Sequence, residues 1–104
     1  MPVKVGKTKD IAPGQMQVVD VEGTTVNVAN AQGHLYAFDD TCTHQGCSLA
    51  RGKLDGITVT CPCHGSQFDV TSGAVLRGPA TRPVRSWAVQ IEREDVLVQT
   101  PDEK

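Results

Sequence analysis

Alternating apolar and polar residues over short segments dominate the chain. Trp87, Val89 and Ile91 share one face of a segment whose intervening positions are small or polar. A period of two is typical of half-buried β-strands, because successive side chains point to opposite faces of a sheet. The charged residues 92–94 separate this segment from a second alternating one, which predicts a hairpin. The whole pattern predicts short strands at 3–6, 15–21, 24–30, 34–39, 57–61, 67–70, 74–76, 84–91 and 94–99.

The segment 15–21 changes phase along its length. Its apolar residues occupy even positions as far as Val18, and odd positions at Val19 and Val21. A β-bulge produces such a change, and so does a strand that is buried on both faces. We therefore expect one of these two features in this strand.

Turn-forming residues divide the chain into these strands, and no long segment shows the period of a helix. Ten glycines and six prolines are spread along the 104 residues, and turns are expected at 31–33 and 72–73. Between Asp40 and Pro79 the alternation weakens. The pattern predicts an all-β fold, an antiparallel sandwich or barrel with a loop-built subdomain inserted at about 40–79. The length fits a single domain over residues 1–104.

Charge and composition argue against two classes of partner. The chain has 10 Lys and Arg against 12 Asp and Glu, a net charge of -2, and only 4% aromatic residues. A nucleic-acid binder shows a basic face and stacking aromatics, so nucleic acid is not an expected partner. No apolar run approaches the roughly 18 residues of a membrane helix, and the first residues lack the apolar stretch of a secretory signal. We expect a cytoplasmic protein without membrane insertion.

Cysteine and histidine concentrate in the region where the strand pattern weakens. All four cysteines and two of the three histidines lie between positions 42 and 64. Each of two six-residue segments, 42–47 and 61–66, holds two cysteines and one histidine. Because thiolate and imidazole are the usual ligands of transition metals, this clustering predicts a metal site rather than a simple disulfide pair.

The spacing of these residues narrows the choice of metal. Tetrahedral zinc accepts cysteine and histidine, but it favours Cys-x-x-Cys pairs that this chain lacks. An all-cysteine plant-type iron–sulfur cluster needs further cysteines at intervals that are also absent. The best fit takes one cysteine and one histidine from each segment, and spacing alone leaves Cys47 and Cys63 possible as ligands. One set that satisfies this fit is Cys42, His44, Cys61 and His64.

At this point the chain resembles the Rieske family. Cys42-x-His44, sixteen residues and then Cys61-x-x-His64 match the family's ligand pattern. The resemblance implies one 2Fe–2S cluster per chain, with the two cysteines on one iron and the two histidines on the other. The flanking residues that also match are Gly46, Pro62, Gly65, the segment 66–69, Gly73 and the Gly78-Pro79 pair.

The resemblance also implies roles for residues around the cluster. In the respiratory and photosynthetic Rieske subunits, the positions of Cys47 and Cys63 form a disulfide, and we expect one here; two buried free thiols are the alternative. Backbone N–H groups near two glycines are expected to face the sulfurs, and a serine hydroxyl to bond a bridging sulfide. A tyrosine of high-potential members is replaced by phenylalanine, which implies an intermediate potential. These surrounding residues are Gly46, Gly65, Ser66, Phe68 and Pro79.

Charge counting agrees with an electron-transfer role. Two ferric ions, two sulfides and two thiolates sum to zero, whereas four thiolates would leave a charge of minus two. Neutral imidazole ligands therefore make reduction easier. Rieske potentials lie at roughly -150 to +300 mV, against about -400 mV for plant-type ferredoxins.

The resemblance implies a one-electron carrier, a Rieske-type ferredoxin that links a flavin-dependent reductase to a terminal oxygenase. A monomer is the default expectation for such a transient carrier. Such a protein is a component of an oxidoreductase system and not itself an enzyme, and the chain has no room for a mononuclear iron domain. The main alternative is the head of a quinol-oxidising cytochrome bc-type subunit. Cys47, Cys63 and Ser66 favour this alternative, and Gln45 opposes it. A nitrite reductase or arsenite oxidase subunit and a zinc-stabilised interaction module are the further alternatives.

The remaining polar residues have structural explanations. His34 is expected in a solvated turn, and Arg51 and Lys53 form a solvated rim or assist docking. Aspartate at strand ends commonly bonds to backbone N–H groups. The aspartates expected to act in this way are Asp39, Asp40 and Asp69.

Overall fold

The computed structural model describes residues 2–43, 46–63 and 65–99. These residues form two antiparallel sheets and two short 3-10 helices, Thr8–Asp10 and Leu49–Arg51, and this part of the chain contains no α-helix. The all-β prediction is confirmed. The strands are β1 Pro2–Lys7, β2 Met16–Val21, β3 Thr24–Ala31, β4 His34–Asp39, β5 Lys53–Asp55, β6 Thr58–Thr60, β7 Gln67–Asp69, β8 Val75–Arg77, β9 Ser86–Glu92 and β10 Asp95–Gln99.

The larger sheet has six strands in the order β1-β10-β9-β4-β3-β2. β9 and β10 form the predicted hairpin, with Glu92 opposite Asp95. β9 joins β4 through only two pairs, Ala37 with Trp87 and Phe38 with Ser86. The sheet therefore consists of two three-stranded halves that meet along a short seam.

The smaller sheet is the inserted subdomain, with four strands in the order β5-β6-β7-β8. It follows β4 in the chain and precedes β9, so the polypeptide leaves the larger sheet at one side of the seam and returns at the other. The loop before β5 and the loop between β6 and β7 carry the cysteines. The inserted subdomain is thus built from short strands as well as from loops.

β3 and β4 are buried on both faces and hold the two parts together. Val26, Val28 and Ala37 face one apolar core inside the larger sheet. The alternate residues of the same strands face a second core shared with the inserted subdomain. That second core contains Ala29, Ala31, Phe38, Leu49, Val59, Phe68, Val70, Ala80 and Val84, together with Cys42 and Cys61. The cysteine loops are therefore anchored from below by well-packed apolar side chains.

Three details differ from the sequence-based expectations. β5 was not predicted, because three residues with an exposed, half-buried, exposed pattern carry little periodic signal. Ile91 lies on the predicted shared face of Trp87 and Val89, but it is 46% exposed whereas Trp87 is 7% exposed. The bulge considered for segment 15–21 is wrong, since β2 pairs with β3 residue by residue.

β2 instead faces both cores because it is an edge strand beside the insertion. Val19 and Val21 pack into the core of the larger sheet, and Met16 packs against the second core. Val18 shares the face of Met16 but is 43% exposed. Within the described part of the chain, no helix is long and apolar enough to cross a membrane.

Leu49 tests the contribution of the second core. Its side chain is fully buried, so Leu49→Ala should lower the free energy of unfolding by about 2–5 kcal/mol. Leu76→Ala is the matched control, because Leu76 lies in the same subdomain but is 52% exposed, and its effect should stay within about 0.5 kcal/mol. Denaturant titration of both variants measures the difference, and equal effects would contradict this description of the core.

Candidate metal centre

The first cysteine loop folds back on itself between β4 and the helix Leu49–Arg51. The N–H of Cys42 donates to the carbonyl of Cys47 at 2.8 Å, and the N–H of Gly46 donates to the carbonyl of Cys42 at 2.9 Å. Gly46 has a φ of 77°, in the left-handed region where a side chain is disfavoured. An antiparallel bridge between Thr41 and Ser48 closes the base of the loop.

The second cysteine loop, between β6 and β7, repeats this pattern. The N–H of Cys61 donates to the carbonyl of Ser66 at 2.7 Å, and the N–H of Gly65 donates to the carbonyl of Cys61 at 3.1 Å. Gly65 has a φ of 81°. In both loops, therefore, a glycine four residues after a cysteine turns the chain so that the fifth residue returns to that cysteine.

The repeated hydrogen bonds make Cys42 and Cys61 structurally equivalent. Both are the first residue of their loop, and they are 2% and 3% exposed. Cys47 and Cys63 occupy different places in the two loops and lie nearer the surface, half-buried and exposed respectively. The two loops thus present one matched pair of buried thiols and one unmatched pair at the surface.

A disulfide joins the unmatched pair. Cys47 and Cys63 are bonded to each other, with their Cα atoms 6.5 Å apart. The predicted pairing is confirmed, and the alternative of two free thiols is wrong. The sulfur of Cys61 lies within 4.8 Å of both disulfide sulfurs. Because the disulfide joins Cys47 and Cys63, the cysteines outside it are Cys42 and Cys61.

His44, Gln45 and His64 lie outside the described residues, so the assignment of the histidines as ligands stays a prediction from the sequence. Each histidine lies in the same loop as one of the two buried thiols. His44 follows Cys42 by two residues, and His64 follows Cys61 by three. Two buried thiols on equivalent loops, each with a histidine in the same loop, fit the two-cysteine, two-histidine ligand set of a Rieske cluster.

The segment after β8 supports both loops from behind. The hydroxyl oxygen of Ser66, which is fully buried, accepts a hydrogen bond of 3.0 Å from the N–H of Ala80. The hydroxyl of Thr43 donates to the carbonyl of Arg82 at 2.7 Å. Pro79, in a cis peptide bond with Gly78, is exposed at this position. Each cysteine loop is thus tied by one side chain to the same segment.

Ser66 and Phe68 have clearly different surroundings. Because the Ser66 oxygen accepts from Ala80, its own proton is free to be donated to a second acceptor. Phe68 is fully buried in the second core, opposite Val59. Its ring packs and carries no hydroxyl, as the sequence comparison with high-potential members implied.

Asp40 has a larger role than the sequence indicated. It is 3% exposed, and its carboxylate accepts hydrogen bonds from Asn27 Nδ2 at 3.0 Å, from the N–H of Ala50 at 2.9 Å and from the Ser48 hydroxyl. It therefore connects β3, the end of the first loop and the helix that follows. The sequence signal for this was a polar residue, Asn27, at an inward position of an apolar strand.

The other aspartates and His34 have structural roles in the described residues. Asp69 accepts hydrogen bonds from the N–H and hydroxyl of Thr71, as expected at a turn. Asp39 accepts from the indole N–H of Trp87 at 2.7 Å and pairs with Arg85 at 3.4 Å. His34 is exposed at the start of β4.

Comparison with known proteins agrees with this geometry. Residues 1–88 match the family model described as Rieske [2Fe-2S] domain. The chain is 35% identical over 89 residues to the ferredoxin component of the naphthalene 1,2-dioxygenase system of Pseudomonas putida, covering 86% of each chain.

Solved structures agree as well. The ferredoxin of carbazole 1,9a-dioxygenase from Nocardioides aromaticivorans IC177 superposes with a TM-score of 0.92 at 31% identity, covering 95% of this chain and 97% of that one. A chain from a complex of reduced oxygenase and oxidized ferredoxin in carbazole 1,9a-dioxygenase superposes with a TM-score of 0.90 at 34% identity. The superposed region covers 94% of this chain and 92% of the chain from that complex.

The disulfide should stabilise the paired loops. Replacing both partners, Cys47→Ser with Cys63→Ser, should lower the free energy of unfolding, but by less than the ~3 kcal/mol of a free loop of this length. The reason is that Ser66 and Thr43 already tie the same loops to a common segment. Denaturant unfolding without reductant measures the effect, and wild-type protein treated with reductant is the matched control. An unchanged stability in both would contradict the stabilising role.

Proposed function

We propose that this chain, which belongs to the Rieske 2Fe–2S family, is a one-electron carrier that passes electrons from a flavin-dependent reductase to a terminal oxygenase. The observation that carries the proposal is the pair of equivalent loops with one buried thiol each, in a fold shared over nearly its whole length with ferredoxins. The relatives are named as ferredoxin components and not as catalytic subunits, so the chain is not itself an enzyme.

The residues that would hold the cluster are Cys42 and Cys61 on one iron, and His44 and His64 on the other. A bound 2Fe–2S cluster supplies reversible uptake of a single electron at a potential above that of all-cysteine clusters. The chain's own residues hold each thiol within its loop through the repeated hydrogen bonds, and the disulfide links the two loops. Such a fixed ligand geometry lets the site change oxidation state with little rearrangement of the protein.

The proposal includes one cluster per chain, a monomeric state, a single domain over residues 1–104 and a cytoplasmic location. A transient carrier must associate with two partners in turn, which favours a small monomer with one exposed redox end. The exposure of Gly46, Cys63 and Pro79 supports a redox end at the cysteine loops. Nothing in the charge of the chain favours nucleic acid as a partner.

A second candidate is supported by the disulfide Cys47–Cys63, since the resemblance connects this pair with quinol-oxidising cytochrome bc-type subunits. In that case the chain would take electrons from a quinol instead of a reductase. Reduction of the oxidised protein by a short-chain quinol would support this candidate, and reduction only through a flavoprotein and NADH would support the ferredoxin.

The experiment that tests the proposed function is a reductive titration of the purified protein. We expect a red-brown protein with about two irons per chain that takes up one electron per chain and returns it to an oxidant, as a single 2Fe–2S cluster requires. A colourless protein that contains zinc would contradict the proposal and favour the zinc-stabilised module.

Ser66 should raise the reduction potential. A hydroxyl that donates to the cluster or a ligand sulfur stabilises the more negative reduced state, so Ser66→Ala should lower the potential by tens of millivolts. The difference in hydrogen-bond free energy between the oxidised and reduced states sets the shift, and this difference is a fraction of the ~1.5–3 kcal/mol of a charge-assisted hydrogen bond. For one electron, about 59 mV corresponds to a tenfold change in the equilibrium constant. Voltammetry at one pH measures the shift.

Ser72→Ala is the control for this prediction. Ser72 is exposed in the turn before β8, where its hydroxyl oxygen accepts from the N–H of Ala74 at 3.2 Å. The reduction potential of the Ser72→Ala variant should equal that of the wild type. If Ser66→Ala also leaves the potential unchanged, the Ser66 hydroxyl does not donate toward the cluster.

A further inference from the structure

The outward face of the four-stranded sheet separates its charges by row. Residues paired across neighbouring strands lie on the same face of a sheet. The row next to the cysteine loops carries two cations, and the row at the far end carries two carboxylates. The near row is Lys53, Thr60, Gln67 and Arg77, and the far row is Asp55, Thr58 and Asp69.

Two further arginines lie beside the cysteine loops. Arg51 lines a groove of about 460 Å³ together with Ser48, Pro62 and the disulfide. Arg82 belongs to the segment behind the first loop, where its carbonyl accepts from Thr43. All four cationic side chains are on exposed residues. We name this set the cationic face: Arg51, Lys53, Arg77 and Arg82.

Asp55 and Asp69 of the far row form no ion pair with these cations in the described part of the chain. Among the described residues, the ion pairs within 4.0 Å are Lys4 with Asp95 and Arg85 with Asp39, so none involves the cationic face. Asp40 lies near the first loop but is buried, where its carboxylate accepts three hydrogen bonds. The Rieske ligand set sums to zero when oxidised and to minus one when reduced, so the four cations outweigh it in both states.

We propose that the cationic face docks the redox partner through a carboxylate-rich surface on that partner. The inference rests on the proposed function, because it names the surface through which the carrier exchanges electrons. Clusters of one sign steer association even when the net charge has the opposite sign, because the local field dominates at short range. The net charge of -2 would by itself suggest a basic partner, and the placement of the charges reverses that expectation.

The first experiment measures oxidation of the dithionite-reduced wild-type protein by two inert trivalent complexes, anionic hexacyanoferrate(III) and cationic tris(phenanthroline)cobalt(III). Ionic strength is raised from about 0.01 to about 0.15 M, which shortens the screening length from ~30 to ~8 Å. We expect the rate constant to fall with salt for the anion and to rise for the cation. An anion rate that rises or stays constant would overturn the proposal.

Matched charge variants locate the effect. Arg51→Gln with Arg77→Gln removes two charges from the cationic face. Lys7→Gln with Lys9→Gln removes two exposed charges near the β9–β10 turn, where Lys7 of β1 is the strand partner of Asp95 in β10. The first cysteine loop follows β4, and β4 pairs with the start of β9 through Phe38 and Ser86. The β9–β10 turn lies at the opposite end of β9.

We expect the arginine variant to react with hexacyanoferrate(III) several-fold more slowly at low ionic strength, within the ~10- to 1000-fold range of electrostatic steering. In the lysine variant, the logarithm of the rate constant with hexacyanoferrate(III) should change less than half as much as in the arginine variant. Equal losses in the two variants would mean that net charge, and not the cationic face, controls association, and would overturn the proposal.

Binding to poly-L-glutamate at low salt tests the same surface without electron transfer. The wild type and the lysine variant should bind this polyanion, and the arginine variant should lose most of the binding; absence of binding by the wild type overturns the proposal. Failure of the proposed function gives a different result, namely no electron transfer to either complex at any ionic strength. Binding to poly-L-glutamate does not depend on electron transfer, so it tests the cationic face independently.

Discussion

The repeated hydrogen-bond pattern of the two cysteine loops is the constraint on which the rest of the structure depends. In each loop a cysteine N–H is bonded to the carbonyl five residues later, and a glycine with positive φ makes the return possible. The repetition brings Cys42 and Cys61 into equivalent buried positions, although the loops differ in sequence. The matched positions of these two cysteines therefore arise from backbone geometry, and the disulfide adds a covalent link at the surface.

The fold places this site where it is both anchored and accessible. β3 and β4 are covered on both faces, and small side chains at Ala29 and Ala31 let the inserted subdomain pack closely against them. Asp40 and Ser66 then join the loops to neighbouring segments through buried hydrogen bonds. Rigid support from below and exposed residues above are the arrangement that a transient electron carrier needs.

Local sequence signals were sufficient for most of the framework, whereas the cysteine pairing came from the resemblance to the Rieske family. Alternation located the strands of the larger sheet, and the resemblance in 42–64 carried the disulfide. What failed depended on distant residues. The alternation of 15–21 could not show which core each face of an edge strand meets, and the role of Asp40 depends on Asn27, which lies 13 residues away. Likewise, the charge separation by row follows from strand register, which no single segment encodes.

The measurement that tests the central claim most directly is pulsed EPR of the dithionite-reduced protein grown with ¹⁵N-histidine. The account predicts a low-average-g signal with strong couplings from two histidine nitrogens, both lost or altered when His44→Ala or His64→Ala removes one of them. A signal without strong nitrogen coupling, typical of four thiolate ligands, would contradict the assignment of His44 and His64 and with it the pairing of one cysteine and one histidine from each loop.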